Sequence, residues 1–294
     1  MKLLVFALLI LVSVYVFYMQ ADGYTDPFYN RFVSKKQTSL IVGTSRSAQG
    51  VDPQILNATL NRKDIYNYSF TLGHSPYGEV YFESIKKKIN EDSDDGVFIV
   101  TVDPWSLSVN INDDKNYQEE DRFLNKIHFV NQYPNLEYLL LYFNQKNIDI
   151  IKNKKKSKTY LDHRGWLQVN LKWDSLSMNK SLHKKILNYT ELASELKISN
   201  SRIDWLVETV KYLKSKGSVY IVRLPVHPMM FEIEKKYDAD FQSTIGDVIK
   251  LSDGYYDMGF MNELFKYNDG NHLNKYSVAD VSAKIANWIN SQKK

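Results

Sequence analysis

Apolar residues along the chain fall into two recurrent patterns. Short runs in which nearly every position is apolar occupy residues 39–43 (Ser-Leu-Ile-Val-Gly), 65–70, 97–102 (Val-Phe-Ile-Val-Thr-Val) and 218–223 (Ser-Val-Tyr-Ile-Val-Arg). Runs of this kind read as strands buried on both faces. Residues 255–258 offer a fifth, shorter strand. Between the runs, apolar positions recur at helical spacing, over residues 77–89 and at Ile203, Leu206, Val207, Val210 and Leu213, where Gly217 closes the pattern. The last helix is marked by Ser277 and Asp280 as a capping box, with Val278, Val281, Ile285, Trp288 and Ile289 along one face. Strands alternating with helices predict an α/β fold, a parallel sheet of about five strands with helices on both sides.

Two stretches depart from this alternation. Residues 3–19 carry no charge and, as a helix, would be roughly 25 Å long at about 1.5 Å per residue. An uncleaved membrane-spanning signal-anchor over residues 1–21 is the expectation, with a cleaved secretory peptide and a buried core helix as alternatives. Lys2 before the run and Asp22 and Asp26 after it place the N-terminus in the cytoplasm. That gives a single pass through the inner or cytoplasmic membrane, with the bulk of the chain extracytoplasmic, periplasmic or at the cell surface. Residues 22–37 read as a linker and residues 38–294 as the working domain. Residues 104–200 form an insertion. Within it, 138–143 reads as a buried helix, 163–170 as a turn followed by a strand or hairpin, and 152–158 (Lys-Asn-Lys-Lys-Lys-Ser-Lys) as a solvated basic loop with contact to anionic lipid or polymer as the alternative.

Composition narrows the chemistry. With 44% hydrophobic and 24% charged residues, the chain can build a full core, and disorder is excluded. The absence of cysteine removes disulfides, thiolate metal sites and a thiol nucleophile, so any nucleophile carries oxygen or nitrogen. The net charge of +4 arises from 38 basic and 34 acidic residues that are well mixed, so nucleic acid is set aside as a partner. No phosphate loop, dinucleotide fingerprint, zincin helix or calcium loop is present, and neither metal nor cofactor is expected.

In an open parallel sheet, ligands bind where loops leave the carboxyl ends of the strands. Gly43-Thr44-Ser45-Arg46 follows the first strand, Asp103-Pro104-Trp105-Ser106 the third, and Asp269-Gly270-Asn271-His272 lies beyond the fifth. Asp269 and His272, three residues apart, allow the carboxylate to fold back onto Nδ1 of the ring and leave Nε2 free for Ser45. The plainer readings are a helix cap for Ser45 and a local turn for the Asp269–His272 pair. Arg46 is either a substrate clamp or a partner for Asp103, and Asp103 more simply ends its strand in an Asx turn. His74, His128, His163, His183 and His227 lack metal-ligand spacing; His163 with Arg164 and Trp166 is the best of them for a sugar-facing platform.

At these residues the chain resembles the SGNH/GDSL hydrolase superfamily: Gly43-Thr44-Ser45 stands where that family carries Gly-Asp-Ser, and Asp269-Gly-Asn-His272 where it carries Asp-x-x-His before the last helix. The resemblance covers roughly residues 38–110 and 200–292. Gly-Thr-Ser-Arg, the N-terminal anchor and Asp-Pro-Trp are most similar to the membrane-anchored DltD-like and AlgJ/AlgX-like branch. It implies a three-layer, flavodoxin-like α/β/α domain with Ser45 as nucleophile, His272 as base and Asp269 as orienting acid. Oxyanion donors would be the Ser45 and Gly73 amides and, in place of the family's third-block asparagine, Ser106. Substrate-binding candidates, read from the residues themselves, are Arg46, Asp103 and Trp105 and, in the insertion that the resemblance does not cover, His163 and Trp166. The implied function is a serine esterase or O-acyltransferase on an acylated cell-envelope polysaccharide or related polymer, with an integral membrane O-acyltransferase as partner. The alternative is a non-catalytic binding or assembly component, since the missing asparagine weakens the oxyanion site.

Overall fold

The computed structural model describes residues 1–21, 23, 26–112, 123–141, 158–171 and 174–292. Along the chain the strands are β1 (Ser39–Val42), β2 (Ile65–Asn67), β3 (Gly96–Thr101), β4 (Ser108–Asn110), β5 (Thr159–Leu161), β6 (Leu167–Val169), β7 (Leu196–Ile198), β8 (Gly217–Arg223) and β9 (Tyr255–Asp257). The helices used below are α1 (Lys2–Tyr18), α2 (Tyr29–Val33), α3 (Ser45–Gly50), α4 (Pro53–Thr59), α5 (Glu79–Lys88), α6 (Leu136–Leu141), α7 (Ser175–Glu195), α8 (Asn200–Lys214), α9 (Pro228–Tyr237) and α10 (Lys275–Gln292).

The apolar runs assemble one parallel sheet in the order β2-β1-β3-β8-β9. Numbered within the sheet this is 2-1-3-4-5, the doubly wound flavodoxin-like order. Strand periodicity explains the two layers around it. Leu40, Val42, Phe98, Val100, Val219 and Ile221 point to one face, where α2, α5 and α8 cover them. Ile41, Val97, Ile99, Tyr220 and Val222 point to the other, beneath α4 and α10. Alternate side chains take opposite faces, so a strand buried on both sides must be apolar at every position.

The N-terminal expectation is corrected. α1 is 17 residues long and has no buried side chain. At about 1.5 Å per residue that is near 25 Å, short of a hydrocarbon core of about 30 Å. Among the described residues no helix is long and apolar enough to cross a membrane. The linker expectation also changes from Asp26 onward, because Phe28, Tyr29 and Phe32 are buried in the larger core and Asp26 is buried beside them, so residues 26–37 belong to the domain. Asp22 lies outside the described residues.

The interval after β3 folds onto the domain. β4 pairs antiparallel with β7, and β5 with β6 in a hairpin around residues 162–166. α6 buries Tyr138 and Leu139, while residues 142–143 of the expected helix and 152–157 of the basic run lie outside the described residues. The last helix begins at Lys275, earlier than expected. Asn274 Oδ1 accepts from the Tyr276 amide, and Ser277, inside the helix, accepts from the Lys266 amide at 2.7 Å. Ser277 therefore ties the preceding loop to α10 instead of capping it with Asp280.

Candidate active site

The strand order reverses between β1 and β3, and the crevice at such a switch point lies at the carboxyl ends of the strands. Three of the loops that leave this edge carry polar residues. The first turns sharply at Gly43, whose φ is +150°. A Cβ there would lie 1.9 Å from Thr101 Oγ1 and 2.6 Å from Ser47 Oγ, so only glycine fits. The Gly43 amide donates to the Tyr81 hydroxyl at 2.9 Å, and its carbonyl accepts from Ser75 Oγ at 2.7 Å. Thr44 is extended and Ser45 opens α3, which puts the Ser45 amide in the first turn, without a helical acceptor. Beneath it, Ser47 bonds Ser69 and Thr101, each at 2.9 Å, and seats the helix on the sheet.

The second loop closes on itself. Asp269 Oδ1 accepts from the amides of Asn271 (2.7 Å) and His272 (2.9 Å), while His272 Nδ1 stands 3.0 Å from Oδ2. Burial alone would raise the Asp269 carboxyl. The His272 ring and the two amides outweigh burial and hold it well below the usual carboxylate range. An ionised carboxylate only accepts, so Nδ1 carries the proton and donates, and Nε2 is left as an acceptor. Ser45 Oγ lies 3.0 Å from that Nε2. Ser45 is half-buried, and the His272 and Asp269 side chains are 15% and 18% exposed.

Behind the serine sits a buried charge network. Arg46 Nη1 is 2.7 Å from Glu234 Oε1 on α9 and 3.6 Å from Asp103 Oδ2, and its Nη2 donates to Asn271 Oδ1 at 2.6 Å. Glu234 also accepts from Arg223 Nη2 at 3.0 Å and from the Trp105 indole at 2.9 Å. Burial would raise the Glu234 carboxyl, yet the two guanidiniums pull it below its ordinary value. Asp103 goes the other way, since burial raises it more than Arg46 lowers it. Trp105 stacks on Tyr237 and meets Tyr189 edge-on, both at 4.9 Å between ring centroids.

Ser45, Asp269 and His272 are thus brought into one hydrogen-bonded row. The other expected site residues fall elsewhere. Ser106 Oγ accepts from the Asp103 amide in a reciprocal capping box and donates to the Asp103 carbonyl at 2.7 Å, so its hydroxyl hydrogen is committed there. Arg46, Asp103 and Trp105 are buried at 6%, 6% and 2% exposure, inside the network and not on a substrate-facing surface. Gly73 lies on the exposed turn after β2, whose Ser75 reaches the Gly43 carbonyl. His163 is exposed at the tip of the β5–β6 hairpin. Trp166, half-buried, donates from its indole to the Gln49 carbonyl at 2.9 Å, which fastens the hairpin to α3.

Sequence reasoning missed Glu234, Arg223 and Asn271. Arg223, a charge ending an apolar strand, and Asn271, inside the Asp-x-x-His motif, were visible signals; Glu234 on a helix followed by two lysines gave none. Among the described residues no cluster of three His, Asp or Glu side chains could hold a metal ion.

No known protein family and no curated protein matches the chain. Two solved structures of the M. smegmatis aryl esterase, inhibitor-bound and native, resemble it at TM-scores of 0.38 and 0.37 with 10% and 11% identity. Each alignment covers 86% of this chain and 98% of the esterase chain. The likeness is slight, and the chemistry of the site rests on its own atoms.

Proposed function

We propose that this protein is a serine esterase or acyl transferase in which Ser45 is the nucleophile, His272 the general base and Asp269 the acid that fixes the ring. One observation carries the reading: Ser45 Oγ, His272 and the ionised Asp269 form a continuous row with contacts of 3.0 Å on either side of the imidazole. Attack of Ser45 Oγ on an acyl carbonyl sends the hydroxyl proton to His272 Nε2. Collapse of the tetrahedral adduct returns that proton to the leaving alcohol and leaves an acyl-serine. Water, or the hydroxyl of a second substrate, then attacks the acyl-serine and gives its proton to His272, and collapse of the second adduct passes that proton to Ser45 Oγ as the acid or new ester leaves. The imidazolium formed at each step is stabilised by Asp269.

Oxyanion stabilisation falls to backbone amides, with Ser45 at the start of α3 the first of them. Ser106 adds nothing there, and one lost donor costs about 10²–10³ in rate. That committed hydroxyl is the observation favouring the second reading, a binding component that keeps the fold without the chemistry. The finer proposal rests on the resemblance of the two motifs: the acyl group sits on a cell-envelope polysaccharide, outside the cytoplasm, and a membrane-bound O-acyltransferase works alongside.

The test is active-site labelling of the full chain with a fluorophosphonate probe, in mild detergent because α1 exposes its apolar side chains. Adduct at Ser45 that disappears in Ser45→Ala and His272→Ala is the expected result. A folded chain that stays unlabelled would remove the catalytic reading and leave the binding one.

A further inference from the structure

Ser45 and His272 stand 227 residues apart in sequence, and a single hydrogen bond joins their side chains. One bond between two rotatable groups does not set the register of two loops. A second bond runs beside it, one residue along on each loop, from Arg46 Nη2 to Asn271 Oδ1 at 2.6 Å. We propose that Arg46, Asn271 and Glu234 are positioning residues, a clamp that holds the His272 loop against α3 at the distance proton transfer needs. The proposal rests on the reading of Ser45 as the nucleophile.

The guanidinium is a rigid planar fork, so anchoring one of its nitrogens aims the other. Glu234 is that anchor. It contacts Arg46 Nη1 at 2.7 Å, and it is itself fixed by Arg223 at the end of β8 and by Trp105 after β3. Trp105 is wedged between Tyr189 of α7 and Tyr237 of α9, and the Asn271 side chain also faces Tyr189. Two strand ends, α3, α7, α9 and the His272 loop therefore meet on one carboxylate and one amide. Arg46, Glu234, Asn271 and Trp105 are at most 6% exposed, and burial strengthens the ion pair and the hydrogen bonds among them. Charge balance alone would need only Glu234 beside Arg46. The additional short bond to the residue preceding His272 is what makes the network a clamp.

Two substitutions separate the clamp from the charge. Arg46→Lys keeps a cation beside Glu234 but cannot span both partners, and Asn271→Ala deletes the bond with no change of charge. Misplacing a reacting group by about 1 Å costs on the order of 10²-fold. Fluorophosphonate labelling at Ser45 should therefore fall roughly 10–100-fold in either variant at near-native melting temperature. The double variant should be no slower than the slower single, because both remove one bond. The second readout is the ¹⁵N shift of His272 Nε2, which reports whether Ser45 donates to it. In wild type the shift should move on Ser45→Ala; in Asn271→Ala it should already lie at that moved value.

Wild-type labelling speed in a folded Asn271→Ala variant, or losses that multiply in the double variant, would overturn the clamp and leave the esterase reading standing. Should wild type itself not label, the esterase reading falls. The clamp is then decided by the ring shift alone, and an Nε2 signal unmoved by Asn271→Ala overturns it. If Asn271→Ala does not fold, Arg46→Lys carries the same measurements.

Discussion

Two buried arginines, Arg31 and Arg46, meet the cost of desolvation in opposite ways. Arg31, fully buried in the segment that precedes the sheet, donates to three backbone carbonyls, those of Pro27, Asn67 (3.2 Å) and Gly165 (2.7 Å), and its guanidinium lies over the Phe70 ring. Burial weakens its hold on its proton. Arg46 is equally enclosed, but Glu234 and Asp103 face it, and their attraction outweighs burial and keeps it charged. The partners differ because the tasks differ. Arg31 stitches three pieces of chain, the approach to α2, β2 and the β5–β6 turn, beside the bonds from the Asn67 amide to the Arg164 carbonyl (2.9 Å) and from the Tyr66 hydroxyl to the Asn30 carbonyl (3.0 Å). Lys88 does the same nearby, donating to the Ser34 and Val130 carbonyls. At Arg46 the partners are side chains around one reacting group, so a change there reaches the chemistry.

The largest effects expected lie in the row itself. Ser45→Ala or His272→Ala should lower labelling by about 10⁴-fold or more, measured as adduct per hour by mass spectrometry. Asp269→Asn should cost about 10³–10⁴-fold in labelling per folded molecule, since a side-chain amide presented to Nδ1 favours the wrong tautomer. Next comes the charge network. Glu234→Ala leaves Arg46 and Arg223 buried without their shared anion, and about 3–5 kcal/mol of unfolding free energy should be lost in urea titrations.

The carbonyl-bound cation should matter less and differently. Arg31→Met leaves three carbonyls without a donor and should cost about 1–3 kcal/mol, while labelling per folded molecule stays at the wild-type rate. A slowed label at Ser45 in that variant would erase the distinction between the two arginines. The smallest effect is one of pH. The folded Asp269 carboxyl lies below its unfolded value, so its bonds stabilise the native state above roughly pH 4 and that contribution fades as pH falls through the folded value. The stability gap between wild type and Asp269→Asn should accordingly be widest near neutrality and close toward pH 2, followed by denaturant unfolding at each pH.

The sheet was legible because each of its long strands is apolar at consecutive positions, and only burial on both faces demands that. The Asp269–His272 pair was legible because a carboxylate three residues before an imidazole closes a local ring of hydrogen bonds that needs no distant partner. Residues 22–37 misled because their aromatics, taken singly, look like a linker until Phe28, Tyr29 and Phe32 are seen against Phe70 and Tyr138. Ser106 misled because a hydroxyl three residues after Asp103 serves equally as donor to a substrate or as half of a capping box, and only the backbone conformation chooses.

What the sequence determined by itself was therefore local or periodic: the strand runs, the turn at Gly43 and the self-closing Asp269 loop. Tertiary structure alone decided that Ser45 faces His272 across 227 residues, and that Arg46 turns inward to Glu234 and Asn271 instead of outward to a substrate. The reason is physical. A side chain's nearest neighbours in the chain settle its backbone, but the partner of a charge is settled by which other charges are desolvated with it, and that set exists only once the sheet has brought its loops to one edge.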